Sequence, residues 1–221
     1  RGMSAPGHGP LVVAVDGPSG SGKSTVSRRV AQTLGLAYLD TGAMYRAATW
    51  WCLDQGVDLG AAEVVADAVR ALPLAVGLDP GFPTVTVGGT DVALAIRQPR
   101  ISGAVSQVAT NLAARAELVA RQRAIVELER SVRGSAGGRG VVVEGRDITT
   151  VVAPDADVRL LLTASEQARL ARRALELHGA DDAAAIAATR DQVVGRDTLD
   201  STVVEFRTAG DGVVTVDSSG L

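Results

Sequence analysis

Lys23 is the only lysine among 22 basic residues, and it lies in the run GPSGSGKST, Gly17 to Thr25. A solitary ammonium in a chain that otherwise uses arginine suits a task for a compact point charge rather than a planar fork. The glycines around it say what that task is. Gly17, Gly20 and Gly22 let successive backbone N–H groups turn toward one anion, and the helix-patterned residues that follow bring an N-terminus that favours negative charge. Gly17, Gly22, Lys23 and Ser24 stand at the spacing of a phosphate-binding loop, with Pro18, Ser19, Ser21 and Thr25 completing the cradle. Lys23 is then expected to reach the terminal phosphates of a bound nucleoside triphosphate, and Ser24 to ligate Mg²⁺. A glycine-rich turn without ligand is the bland alternative, and it has no need of this spacing between a strand and a helix.

Two further segments carry charge where ligands bind. In LDTGAMYR, Leu39 to Arg46, a strand ends in a carboxylate and Thr41 and Gly42 open a helix that bears Arg46. That helix start either holds a second anion, or Thr41 merely caps the helix while Arg46 lies on a solvated face. In VVVEGRD, Val141 to Asp147, an apolar strand delivers Arg146 and Asp147 to the carboxyl edge of a sheet, where open α/β proteins bind ligands. Arg146 suits two-pronged contact with phosphate oxygens and Asp147 suits an exocyclic amine, although a surface ion pair uses the same two residues.

The elements that must position these groups are legible from periodicity. Apolar runs at 11–15, 37–39, 141–143, 158–162 and 213–216 read as buried strands separated by helical patterns, so a five-stranded parallel sheet with helices on both faces is expected. The stretch from Leu74 to Leu94, with TVTV and the turn GGT, reads instead as a small antiparallel insertion. From 103 to 133 apolar residues recur at helical spacing with a break near Asn111, leaving Arg115, Arg121, Arg123, Glu127 and Arg130 on the polar face. The alanine-rich, charged segment 175–203 reads as a mobile helical lid.

Composition narrows the function classes. The formal net charge is −3 and aromatic residues make up 3% of the chain, which disfavours a nucleic-acid partner. Every apolar stretch is interrupted well short of a membrane span. Cys52 is the single cysteine and cannot form an internal disulfide, which suits a reduced, cytoplasmic setting. His8 and His178 offer no cluster for a structural metal. Arg1 and Gly2 ahead of Met3 look like a cloning remnant, and residues 1–10 are expected to be disordered.

Taken together, GPSGSGKST, LDTGAMYR, SQVA at Ser106 to Ala109, RQR at Arg121 to Arg123, GRD followed by VVAPDA, and RDTLDS from Arg196 resemble the bacterial cytidylate kinases. The likeness runs from about Leu11 to Ser218. It implies a nucleoside-monophosphate-kinase core of residues 11–60, 103–174 and 204–221, a substrate-binding insertion at 61–102 and a lid at 175–203. It implies γ-phosphoryl transfer from ATP to CMP or dCMP by a monomer, within pyrimidine nucleotide metabolism. By position, Thr41, Arg46 and Arg146 would hold the acceptor phosphate. Ser106, Arg115 and Asp147 would read the cytosine, and Arg196 and Asp200 would serve the acceptor phosphate and the ribose. Arg169 and Arg173 would lie on the ATP side, with Lys23, Arg146 and Arg196 in the catalytic set. The chain departs from the pattern at Val203, where the family carries a last lid arginine, and at Glu205-Phe206, where it carries Pro-Leu. Arg207 is the nearby candidate to compensate. The family also continues past the last strand into a closing helix. Phosphorylation of UMP, AMP or another small acceptor, and a non-catalytic nucleotide switch, are the competing readings. A guanine-reading NKxD motif is impossible, since Asn111 is the only asparagine and Leu112 follows it.

Overall fold

The computed structural model of the chain describes residues 9–179 and 182–220. Most of the N-terminal stretch expected to be disordered lies outside the described residues.

Five strands, β1 (Leu11–Asp16), β2 (Ala37–Asp40), β6 (Gly140–Gly145), β7 (Val158–Thr163) and β8 (Val214–Asp217), form one sheet in the order β2-β6-β1-β7-β8. All four pairings are parallel. Such neighbours need long crossovers, which the intervening helices supply. β1 and β6 are apolar on both faces because both faces are covered: Val12, Ala14, Val141, Val142 and Val143 have no exposed surface. α1 (Lys23–Leu34) packs on one face through Ala31, together with Leu36, against Val13, Val15 and Val142. α5 (Leu112–Glu129) covers the other through Val119 and Val126.

A second core lies beyond the β2 edge. α2 (Thr41–Asp54) is flanked by α3 (Ala62–Arg70) and α4 (Pro99–Ala109), and it rests on an antiparallel sheet of β3 (Leu74–Val76), β4 (Val85–Val87) and β5 (Thr90–Asp91). Eight residues of α2 are buried, Cys52 among them, so this helix is packed almost all round rather than on one stripe. The expected helical run of 103–133 is two helices. Asn111 separates them and caps the second by accepting from the Ala114 N–H at 3.1 Å.

The last helical layer is α6 (Glu166–His178), α7 (Ala183–Arg190) and α8 (Arg196–Asp200), with a π-helical turn at Asp191–Gly195. The boundary expected at Leu175 falls inside α6, whose C-terminus comes only at Gly179 in the left-handed conformation. The expected lid is therefore continuous with a helix rooted beside β7.

Candidate active site

The carboxyl ends of β1, β2 and β6 open into a cleft of about 1260 Å³, lined on one side by Gly20, Gly22, Lys23, Ser24 and Thr25 and on the other by Arg46, Arg146 and Arg196. β1 has β6 on one side and β7 on the other, so this is the point where successive crossovers diverge and a crevice forms. The Gly17–Thr25 run leaves β1 at Asp16 and enters α1 at Lys23. Gly22 caps the helix at φ 84° without any side-chain bond, leaving the first-turn N–H groups facing the cleft mouth. At Gly20, φ is 76° and an added Cβ would stand 2.6 Å from the Arg169 carbonyl, so α6 presses directly on the loop.

Lys23 folds back and donates to the Pro18 carbonyl at 2.8 Å. Burial lowers its pKa from 10.5 to about 8, with Glu144 and Asp197 opposing the shift and Arg146 and Arg196 adding to it. An ammonium so placed gains when a polyanion arrives.

Glu144 is a residue that sequence reading missed. It is 3% exposed at the end of β6, where the Tyr38 hydroxyl donates to it at 2.5 Å. Burial and Asp40 raise its pKa, while Lys23, Ser24 and Tyr38 act to lower it. The available signal was VVVE itself, an acid closing an apolar strand. An acid there, facing the loop serine across the cleft, supplies hard oxygen donors of the kind Mg²⁺ prefers. Among the described residues no cluster of three or more His, Cys, Asp or Glu could hold a metal on its own, so an ion here would rely on phosphate oxygens.

Helix α2 begins differently from expectation. The cap is Asp40, whose Oδ1 accepts from the Ala43 N–H at 2.8 Å while its Oδ2 pairs with Arg46 at 3.2 Å. Thr41 is not the cap. Its hydroxyl is buried and donates to the Glu144 carbonyl at 2.8 Å, tying the helix start to β6. Gly145 permits this close approach, since a Cβ there would fall 2.4 Å from Thr41 Oγ1. Arg46 is not on a solvated face either: its side chain is 15% exposed and its Nε is buried without an acceptor.

Arg146 and Asp147 follow β6, and Asp16 holds the segment after them. The buried Asp16 carboxylate accepts from the Ile148 N–H at 2.8 Å, the Thr149 N–H at 2.8 Å and the Thr149 hydroxyl at 2.6 Å. Burial pushes its pKa up and those bonds oppose the rise. Arg146 pairs with Asp197 at 2.7 Å and Asp200 at 3.1 Å, and its guanidinium lies 4.6 Å from the centroid of Phe206. The Glu205-Phe206 departure thus places a buried ring against this arginine. Arg196 sits 3.6 Å from Asp200, and its Nε is buried without an acceptor. Burial first, then Arg146 and Arg46, lower its pKa to about 9. Three confined guanidinium groups, each ion-paired to an aspartate, thus retain N–H donors that make no hydrogen bond.

A smaller cavity of about 40 Å³ adjoins the cleft, lined by Thr41, Tyr45, Arg115, Asp147 and Asp200 among others. Arg115, expected on the polar face, turns inward: it pairs with Asp147, donates to the Ala109 carbonyl at 3.1 Å and lies 5.6 Å from the Tyr45 centroid. The Ser106 hydroxyl donates to Asp200 at 2.8 Å. Arg115, Asp147 and Asp200 therefore line one small pocket, with Ser106 bonded to Asp200.

Arg173 lines the cleft and pairs with Glu176 at 2.7 Å, whereas Arg169 turns away to Asp197 and the Ser19 carbonyl. Arg172, which was not singled out, lines the cleft and contacts Ser218 and the Gly20 carbonyl. The RQR arginines serve the scaffold. Arg121 donates to the carbonyls of Val69, Arg70 and Leu72 at the end of α3, and Arg123 to that of Val151.

Comparison with known proteins agrees with this geometry. The cytidylate kinase family model matches residues 13–221. The chain is 49% identical over 218 residues to the cytidylate kinase of Nocardia farcinica, covering 96% of this chain and 88% of that one. It is 47% identical over 191 residues to the cytidylate kinase of Streptomyces griseus, covering 86% and 78%. Against the cytidylate kinase of Streptomyces coelicolor it is 45% identical over 220 residues, covering 99% and 90%. A phosphate loop facing buried arginines across one cleft, on this sheet order and with these relatives, identifies the chain as a phosphotransferase that belongs to the cytidylate kinase family.

Proposed function

We propose that the chain transfers the γ-phosphoryl group of ATP to CMP and dCMP by bringing two polyanions together between Lys23 and the arginine cluster. The observation that carries this reading is the set of buried guanidinium N–H donors that make no hydrogen bond, on Arg46, Arg146 and Arg196, opposite a phosphate loop. Buried donors are costly unless a ligand completes them, and phosphate oxygens are the acceptors that match.

The acceptor phosphate already carries an anionic oxygen, so no general base is needed. Thr41 fixes the start of α2, from which Arg46, with Arg146 and Arg196, would grip that phosphate. Asp147 accepts from an amine, and Arg115 offers donors to a carbonyl and a ring nitrogen, a pattern that matches the cytosine edge. Asp200, joined to Ser106, would meet the ribose. For the base to enter, the small cavity must widen, which requires Asp200 and its neighbours to shift with the lid of 175–203. Lys23, the loop amides and the arginines would oppose the charge of the transferring group, and alignment of the two substrates contributes about 7–11 kcal/mol toward the barrier. Mg²⁺, held by Ser24 with Glu144 nearby, would supply further neutralisation of the phosphates. We place the enzyme in the cytoplasm, acting as a monomer in pyrimidine nucleotide metabolism. No helix among the described residues is long and apolar enough to cross a membrane.

The test is the initial rate of ADP formation with CMP, dCMP, UMP or AMP, each against an acceptor-free control. CMP and dCMP are expected to lead, with hydrolysis alone about two orders of magnitude slower. Equal rates for all four, or ADP formation indifferent to acceptor, would refute the assignment.

A further inference from the structure

Asp197, on α8, is 2% exposed and belongs to none of the groups assigned above. Its Oδ1 accepts from the Ser19 N–H of the phosphate loop at 3.2 Å and pairs with Arg146 Nη1 at 2.7 Å. Its Oδ2 is bonded to Arg169, and the same Arg169 Nη1 donates to the Ser19 carbonyl at 3.0 Å. One carboxylate thus joins the lid helix, the tip of the loop, an arginine of the acceptor side and an arginine rooted in α6.

We propose that Asp197 is a positioning residue that latches the lid helix onto the phosphate loop and holds Arg146 and Arg169 in their working orientations. The proposal rests on the phosphotransfer reading above. A buried carboxylate persists only when charge and hydrogen bonds compensate its lost hydration, and here two guanidinium groups and one amide do so. It repels phosphate and so is not itself a phosphate ligand. Its action is through the arginines. A guanidinium has five donors in a fixed plane, so pinning one edge sets where the others point. Arg146 is held by ion pairs, Nη1 to Asp197 and Nε to Asp200, with Phe206 against its face; Nη1 makes no hydrogen bond, and the side chain still lines the cleft. The lid cannot leave the loop without releasing both arginines, so exclusion of water and alignment of the catalytic charges become one event.

Asp197→Asn keeps the shape and an acceptor for the Ser19 N–H but removes the charge. It is expected to lower kcat about 100-fold, the scale of losing one oriented transition-state donor, while the KM values for ATP and CMP stay within about fivefold. ATP hydrolysed per CDP formed should rise about tenfold or more. Arg169→Met is expected to show the same split at smaller size. The double variant should be no more than about threefold worse than Asp197→Asn alone, because both act through one contact. A merely structural role predicts a lower Tm with normal kcat per folded molecule. Normal kcat in Asp197→Asn, or losses that multiply in the double variant, overturns the proposal. Should Asp197→Asn fail to fold, an unchanged kcat in Arg169→Met overturns it equally. Wild-type enzyme without CMP-dependent ADP formation would defeat the underlying reading instead, so the two failures are distinguishable.

Discussion

On the proposed reading the loop around Lys23 and the cluster around Arg146 each take a phosphate, yet they are built differently. The first is one unbroken run between a strand and a helix, using backbone amides and a single ammonium. The second draws Arg46 from α2, Arg146 from the end of β6, Arg196 from α8 and Phe206 from beyond it, and it balances guanidinium against carboxylate. A cradle of amides is preorganised by chain geometry and needs no counter-charge. A cluster of arginines repels itself, so it needs Asp197 and Asp200 when no phosphate is bound. The donor side is therefore set by local sequence, and the acceptor side exists only in the folded chain.

That contrast predicts unequal sensitivities. The largest effect should follow Lys23→Ala, with kcat reduced about 1000-fold or more and an unchanged circular dichroism spectrum, since no neighbour can replace the only ammonium. Near-normal turnover would show that the amides suffice. Asp147→Ala comes next: the KM for CMP should rise about 100-fold while that for ATP stays within about threefold. Equal losses for both substrates would mean that the two halves are not separable in this way.

Titration distinguishes the halves more finely. Lys23 titrates near 8 in the ligand-free protein because it is buried. Bound triphosphate favours the ammonium, so the KM for ATP should be flat below about pH 7.5 and climb above pH 8, by up to tenfold per unit. Arg196, at about 9, should impose the same rise on CMP roughly one unit later. The sign for stability is opposite to that for binding. Lys23 in the folded state lies below its ordinary 10.5, so the unfolded chain holds more protons between pH 8 and 10.5. Its contribution to stability rises across that window. Coincident profiles for the two substrates would contradict the separation.

The smallest kinetic effect is expected from the second core, beyond the β2 edge. Leu118, on α5, has no exposed surface and packs in the cluster beneath α2. Leu118→Ala should lower unfolding free energy by about 2–5 kcal/mol in urea titration, with KM values near wild type. A large kinetic change would mean that the insertion and the cleft move together.

What the sequence disclosed follows the same division. The positions of all five parallel strands, the antiparallel insertion and the Lys23 loop were readable because each is encoded by neighbours: an unbroken apolar run, a turn, a glycine spacing; β8, expected to be buried, is instead exposed along its length. Asp40 rather than Thr41 as the α2 cap was not readable, since both residues cap helices and only the Glu144 carbonyl above Thr41 decides between them. Arg115 read as polar face from periodicity and as a cytosine contact from the family likeness; its pairing with Asp147 and Tyr45, which come from other segments, was not readable. Asp197 lies in the RDTLDS segment of the family likeness but its bond to Ser19 was not readable, and Arg121, in the RQR segment of that likeness, caps the end of α3. Residues whose role depends on a distant partner are invisible until that partner is placed.

The central claim, direct passage of phosphate between two facing anion sites, is tested most directly by a single turnover with γ-labelled ATP and excess CMP. The account predicts that nearly all label appears in CDP and almost none in inorganic phosphate. Label released chiefly as inorganic phosphate, with CMP unchanged, would contradict it.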